Sequence, residues 1–151
     1  MHFGAATGVI VPKLPPYSKM DEMMTYTINR MFVGADFADI DKRTRAALAD
    51  KGFGVLTEID VTATMKNKLG AEMPGYVVLG ACNPKMAYGA IEIEPRVGAM
   101  LPCNVILREV AGGVEVSAVD PVASMQAIEN PALLAVAAQV RDLLAKAVAA
   151  I

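Results

Sequence analysis

The stretch CNVILREVAGGVEVSAV, residues 103–119, decides the fold. Two runs rich in β-branched and aliphatic residues, 103–110 and 114–119, flank Ala111, Gly112 and Gly113. A connection this short turns the chain straight back, whereas a parallel neighbour needs a crossover of about a dozen residues. The spacing therefore predicts a tight antiparallel hairpin and argues against an all-parallel, doubly wound sheet.

Upstream, YVVLGAC at 76–82 is an apolar run of strand length with few polar residues on either face, which predicts a central strand. Before it, Phe53, Val55, Thr57, Ile59 and Val61 alternate with Gly54, Leu56, Glu58 and Asp60. That period of two predicts a strand over 53–61 with one buried side. Tyr26, Ile28 and Phe32 place a first strand over 24–33. Between these strands, Asp36 or Asp39 caps a helix running to about Lys51. Its Phe37, Ile40, Ala47 and Leu48 recur at helical spacing, and Gly52 stands where a helix-ending glycine belongs. A shorter helix over 62–69 closes at Gly70.

Three later helix starts share one device. Asn83-Pro84, Asp120-Pro121 and Asn130-Pro131 each set a capping side chain before a proline whose missing N–H costs nothing in the first turn. They predict helices over 84–93, 121–128 and 131–151. In the last, Leu133, Val136, Ala137, Val140, Leu143, Leu144, Ala147, Val148 and Ile151 form one wide apolar stripe. The fold class is thus α+β: a mixed, largely antiparallel sheet of about five strands, covered on one face by helices that must bury this stripe.

A chain of 151 residues fits one domain, assigned to 23–151. Residues 1–22 read as a flexible leader, because Pro12, Pro15 and Pro16 hold the chain extended. The apolar segment 3–11 is about half the roughly 20 residues a spanning helix needs, so no membrane association is expected. Only His2 precedes that segment after the first residue, so a basic signal-peptide region is lacking, although a processed export signal stays open. Fourteen Lys and Arg stand against 16 Asp and Glu, for a net charge of −2. The one basic cluster, Lys42, Arg43 and Arg45, is answered by Asp36, Asp39 and Asp41, so nucleic acid is not an expected partner. Two cysteines are too few for a disulfide-framed secreted domain, which makes a reducing, cytoplasmic setting the default.

Four segments carry a family resemblance: GFGVLTEIDV (52–61), LGACNPKMAY (79–88), LPCNVILRE (101–109) and VSAVDP (116–121). Together, and in this order, they resemble the bacterial and archaeal family called domain of unknown function 302, over about 24–151. The resemblance implies a small α+β domain of β-α-β-β-β-β-α type that associates as a homodimer. It implies no activity. Its recurrent positions fall on Glu58, Asp60, Cys82, Asn83, Pro84, Pro102, Cys103, Asn104, Asp120 and Pro121.

Several of these residues invite chemistry. Cys82 and Cys103 each stand at a predicted strand end, each followed by Asn. Cys82 precedes the cap Asn83, and the positive end of a helix dipole lowers a thiol pKa. The plain alternative is that both are small buried hydrophobes. They form neither a CxxC nor another standard ligand spacing, so no metal site is assigned and the cofactor stays unknown. Glu58 and Asp60 project from one strand face, where they suit acid/base work or a cation, while Asp60 also suits a cap. Capping accounts for Asn83, Asp120 and Asn130. It does not account for Asn104, which is costly inside a strand unless a loop or a ligand bonds it. The ten methionines read as core filler rather than a copper site. His2, the only histidine, lies in the leader, which removes a Ser-His-Asp triad from the domain. No glycine-rich phosphate loop is present.

Three functions follow from these residues. The first is a homodimeric domain that binds or senses a small molecule, with Glu58, Cys82, Asn83, Cys103, Asn104 and Asp120 around a pocket between sheet and helices. The second is a thiol-dependent redox or metal-handling protein using Cys82 and Cys103. The third is a hydrolase or isomerase with Glu58 as general base.

Overall fold

The hairpin forms where the sequence places it. Strands β4 (Cys103–Val110) and β5 (Gly113–Val119) pair antiparallel, with Val110 opposite Gly113. Gly112 supplies the positive φ of 86° that this two-residue turn needs. The structure, a computed structural model, describes residues 26–151. The expected leader at 1–22 and the expected start of the first strand at Met24 lie outside the described residues.

Three further strands, β1 (Thr27–Val33), β2 (Gly54–Asp60) and β3 (Tyr76–Cys82), complete a sheet of order β1-β5-β4-β3-β2. All four pairings are antiparallel, so the parallel component expected of a mixed sheet does not occur among the described residues. Helices α1 (Phe37–Asp50) and α5 (Pro131–Ala149) pack on one face of the sheet. They meet a core of Phe32, Leu79, Val105, Leu107, Val114, Val116 and Ala118. In α1 the buried residues Ile40, Thr44, Ala47 and Leu48 follow helical spacing, and the Thr44 hydroxyl donates to the Ile40 carbonyl at 2.7 Å. That bond lets a polar residue sit in the core without an unmet partner.

Helix α5 is long enough to serve two apolar clusters. Its Leu144, Ala147 and Val148 join the main core. Its Leu133 and Ala137 join Ala90, Val97 and Met125 in a second cluster beside α3 (Pro84–Ile93). The far end of α5 is clamped by β1 and α1. Arg30 Nη1 donates to the main-chain oxygens of Val148, Ala149 and Ile151 at 3.1, 2.7 and 3.0 Å, and Arg43 Nη2 donates to Ile151 at 3.1 Å. Both guanidinium groups lie over the Phe32 ring, 4.7 and 5.5 Å from its centroid. Carbonyls left orphaned at a helix C-terminus thus meet two cations held by one aromatic ring.

The sequence misplaces three features. The helix expected over 121–128 is the single turn α4 (Pro121–Ser124). Met125 must turn its side chain into the second cluster, and the chain bends there to reach the next cap at Asn130. A 3₁₀ turn at Pro95–Met100, started by Glu94 accepting from the Arg96 N–H, was not expected. It uses the cap-proline device with Glu in place of Asn or Asp.

The third concerns β2. A bulge between Val55 and Thr57 sets Val55 opposite Ala81 but Thr57 opposite Gly80. One extra residue reverses the faces of everything after it. Glu58 and Asp60 consequently lie opposite Leu79 and Val77 on the helix side, while Thr57 and Ile59 move to the other side. The buried side expected for this strand survives only at its start: Phe53 is buried and Val55 packs on the core, whereas Ile59 is 50% exposed. Helix α2 (Val61–Leu69), capped by Asp60 and ended by Gly70 at positive φ, buries none of its residues. Among the described residues, no helix is long and apolar enough to cross a membrane.

Candidate functional site

The residues singled out by the sequence fall into three places. Cys82, Asn83 and Cys103 come together at the end of the sheet nearest α3, where they line a crevice with Phe53, Met86, Leu101 and Met125. The crevice is small. Its cavity of about 30 Å³ holds roughly two waters, and its walls are almost wholly apolar. Both thiols are free. Cys103 is 7% exposed, and burial, with a smaller contribution from Cys82, pushes its thiol pKa up to about 11. A thiol held neutral in this way is a poor nucleophile and a poor metal ligand. Asn83 is occupied as a cap, its side-chain oxygen accepting from the Met86 N–H at 3.3 Å. Among the described residues, no group of three or more His, Cys, Asp and Glu side chains could hold a metal ion.

Glu58 and Asp120 line neither this crevice nor the larger cavity described below. Glu58 accepts from Arg45 at 2.7 Å, and Arg45 is also held by Asp41 at 2.9 Å. The hydrogen bond with Asp41, more than that with Glu58, raises the guanidinium pKa above its ordinary value. Asp120 has two structural tasks. One oxygen accepts from the N–H groups of Val122 and Ala123, and the other accepts from Arg141 at 2.7 Å. Asp60 caps α2 through the Ala63 N–H at 2.9 Å.

Asn104 lies on the opposite face of the sheet. There, Tyr26, Thr27, Tyr76, Asn104, Ile106, Arg108, Glu115, Ser117 and Val119 line a cavity of about 390 Å³. Among the described residues, no helix contributes to it. Register explains why these side chains converge: in β4 and β5 the buried Val105, Leu107, Val114 and Val116 alternate with Asn104, Ile106, Arg108, Glu115 and Ser117. Arg108 is the direct cross-strand partner of Glu115, and Arg108 Nε donates to Glu115 Oε1 at 2.7 Å. The Ser117 hydroxyl donates to the same oxygen at 3.3 Å. Glu115 is only 6% exposed, so this pairing satisfies a carboxylate removed from water. At the cavity's β1 side, the buried Thr27 Oγ1 has no hydrogen-bond partner among the described residues.

Arg108, Glu115, Ser117, Thr27 and the two tyrosines were not singled out from the sequence. The signal lay in the hairpin itself, where Asn104 and Arg108, and Glu115 and Ser117, alternate with the aliphatic Val105, Leu107, Val114 and Val116, Glu109 being the exception. Asn104, the residue that capping could not explain, lies on this face.

Comparison with known proteins follows the same outline. The family described as "Domain of unknown function DUF302" matches residues 30–151. A crystal structure described as an uncharacterized conserved protein DUF302 from Bacillus stearothermophilus is similar, with a TM-score of 0.78 and 25% sequence identity. That similarity covers 83% of this chain and 98% of the other. No curated protein matches the chain.

Proposed function

We propose a binding function for this chain, which belongs to the DUF302 family: a single homodimeric domain that binds or senses a small molecule in the strand-lined cavity. The observation that carries the reading is Thr27 Oγ1, a buried hydroxyl without a partner among the described residues, at the wall of a 390 Å³ cavity. A buried polar group left unpaired costs about 1–3 kcal/mol, which a ligand hydrogen bond would offset. The volume lies within the roughly 300–1,000 Å³ of typical ligand sites.

The lining also indicates the class of ligand. Arg108 and Glu115 are its only charged residues among those described, and they neutralise each other. That balance favours a molecule without net charge over a phosphate or a polycation. Tyr26 and Tyr76 offer ring surface and hydroxyls, while Asn104 and Thr27 can each donate and accept. A small, planar, uncharged molecule carrying both donors and acceptors fits this set. The thiol reading is less well supported, because the neutral Cys103 thiol and the 30 Å³ crevice leave little for a reacting group to enter. Glu58 as a general base is less well supported too, because Arg45 already engages it.

Native mass spectrometry of the protein as isolated, and after incubation with a metabolite extract, tests the reading. Wild type is expected to hold a small-molecule mass that Thr27→Val and Asn104→Ala retain poorly. A wild-type chain that never carries such a mass, or variants that carry it equally, would contradict it.

A further inference from the structure

Helix α3 (Pro84–Ile93) is apolar on both sides. One side packs against α5 and the 3₁₀ turn through Ala90. The other leaves Tyr88 67% exposed and Ile91 42% exposed, beside exposed Lys85 and Glu92. A large aromatic and a β-branched residue side by side on a solvated helix face form an apolar patch that nothing within the described chain covers.

The order of residues on α3 indicates what covers it. On the outward side of α3, an antiparallel crossing about a point between Tyr88 and Gly89 matches Lys85 with Glu92 and Tyr88 with Gly89, while Ala90 stays in the second cluster. Positive meets negative, and the largest residue meets the smallest. We propose that α3 is the docking surface for a second copy of this chain, two α3 helices crossing antiparallel about a two-fold axis between Tyr88 and Gly89. The proposal rests on the homodimer reading above and deepens it by naming the interface.

A two-fold interface brings residue i of one copy to j of the other, and j to i. Each Tyr88 ring therefore lands on Gly89 of the second copy. There is room for it, because no atom lies within 4 Å of where a Cβ at Gly89 would stand. Each Lys85 meets a Glu92, giving two equivalent ion pairs flanking the Tyr88 contacts. A parallel arrangement would set Lys85 against Lys85 and Glu92 against Glu92, so charge selects the antiparallel one.

Sedimentation velocity of the full chain over a concentration series tests this with Lys85→Glu, Glu92→Lys, the double variant and an equimolar mixture of the two single variants. Circular dichroism checks folding, which these exposed positions should leave intact. Each single variant places like charges at both pairs and should weaken dimerisation about a hundredfold. The double variant should dimerise like wild type. The mixture should recover heterodimers, because both pairs then regain opposite charges. A monomeric wild type overturns the homodimer reading and this interface together. A wild-type dimer unaffected by the single variants, or a mixture that fails to recover, overturns the interface alone.

Discussion

Arg108 and Glu115 face each other across the β4–β5 ladder, their 2.7 Å bond forming part of the cavity wall on the sheet face away from α1 and α5. The pair has a structural consequence and a functional one. Structurally, it keeps a nearly buried carboxylate satisfied. On the proposed reading, it leaves the described lining without net charge, so that Thr27, Asn104 and Ser117 would supply the discriminating contacts.

Removing one partner should cost more than removing both. Arg108→Ala strands Glu115 with only the weaker Ser117 bond and is expected to destabilise the fold by about 2–4 kcal/mol. In a Glu115→Gln background the same substitution should cost about 1–3 kcal/mol less. Urea unfolding of the four proteins measures this coupling. A coupling near zero would mean that solvent already screens the pair.

The Cys103 thiol gives the fold an alkaline limit. Folding raises its pKa from 9.0 to about 11, so the folded state favours the neutral thiol and the unfolded chain ionises first. The stabilisation is fully present below pH 9.0 and is lost as pH rises from there towards 11. The loss over that window is up to about 3 kcal/mol. Cys103→Ala should start less stable at pH 8 yet show a shallower decline in urea unfolding between pH 8 and 10. Parallel curves for the two proteins would remove Cys103 as the cause.

Two glycines are fixed by what stands opposite them, and they should not respond equally to alanine. A Cβ at Gly113 would overlap the main-chain carbonyl of Phe32, which cannot move without breaking the β1–β5 ladder. A Cβ at Gly80 would overlap the Thr57 hydroxyl and come within 2.7 Å of Pro102 Cγ. Thr57 can rotate away, so Gly80→Ala is expected to cost about 1–3 kcal/mol, and Gly113→Ala more. Adding Thr57→Ala should recover part of the first loss and none of the second, as read by thermal unfolding.

The fold was legible largely because local signals agreed. The short Ala111-Gly112 turn fixed the hairpin, Asn83, Asp120 and Asn130 marked three helix starts, and the α5 stripe required a sheet to cover. The bulge at β2 was not legible. Alternation from Phe53 to Val61 is unbroken in sequence, and only pairing with Gly80 reveals that Leu56 is the extra residue. The site was half legible. Asn104 was singled out in the sequence, but Arg108, Glu115 and Ser117 were not, because only cross-strand register brings them together. Cys82 and Cys103 do line one crevice, yet burial makes it too tight and too apolar to add Glu58 or Asp120 to it.

The strand-lined cavity is tested most directly by two-dimensional amide NMR of the isotopically labelled chain titrated with small uncharged planar probes such as phenol, benzamide and nicotinamide. The account predicts that at least one probe shifts the amides of Thr27, Asn104, Ile106, Glu115 and Ser117 together. Thr27→Val should weaken that probe about threefold to tenfold while leaving the free protein as stable as wild type or more so. Probes that leave those amides unmoved at millimolar concentration, or that shift the Cys82 and Cys103 crevice instead, would contradict it.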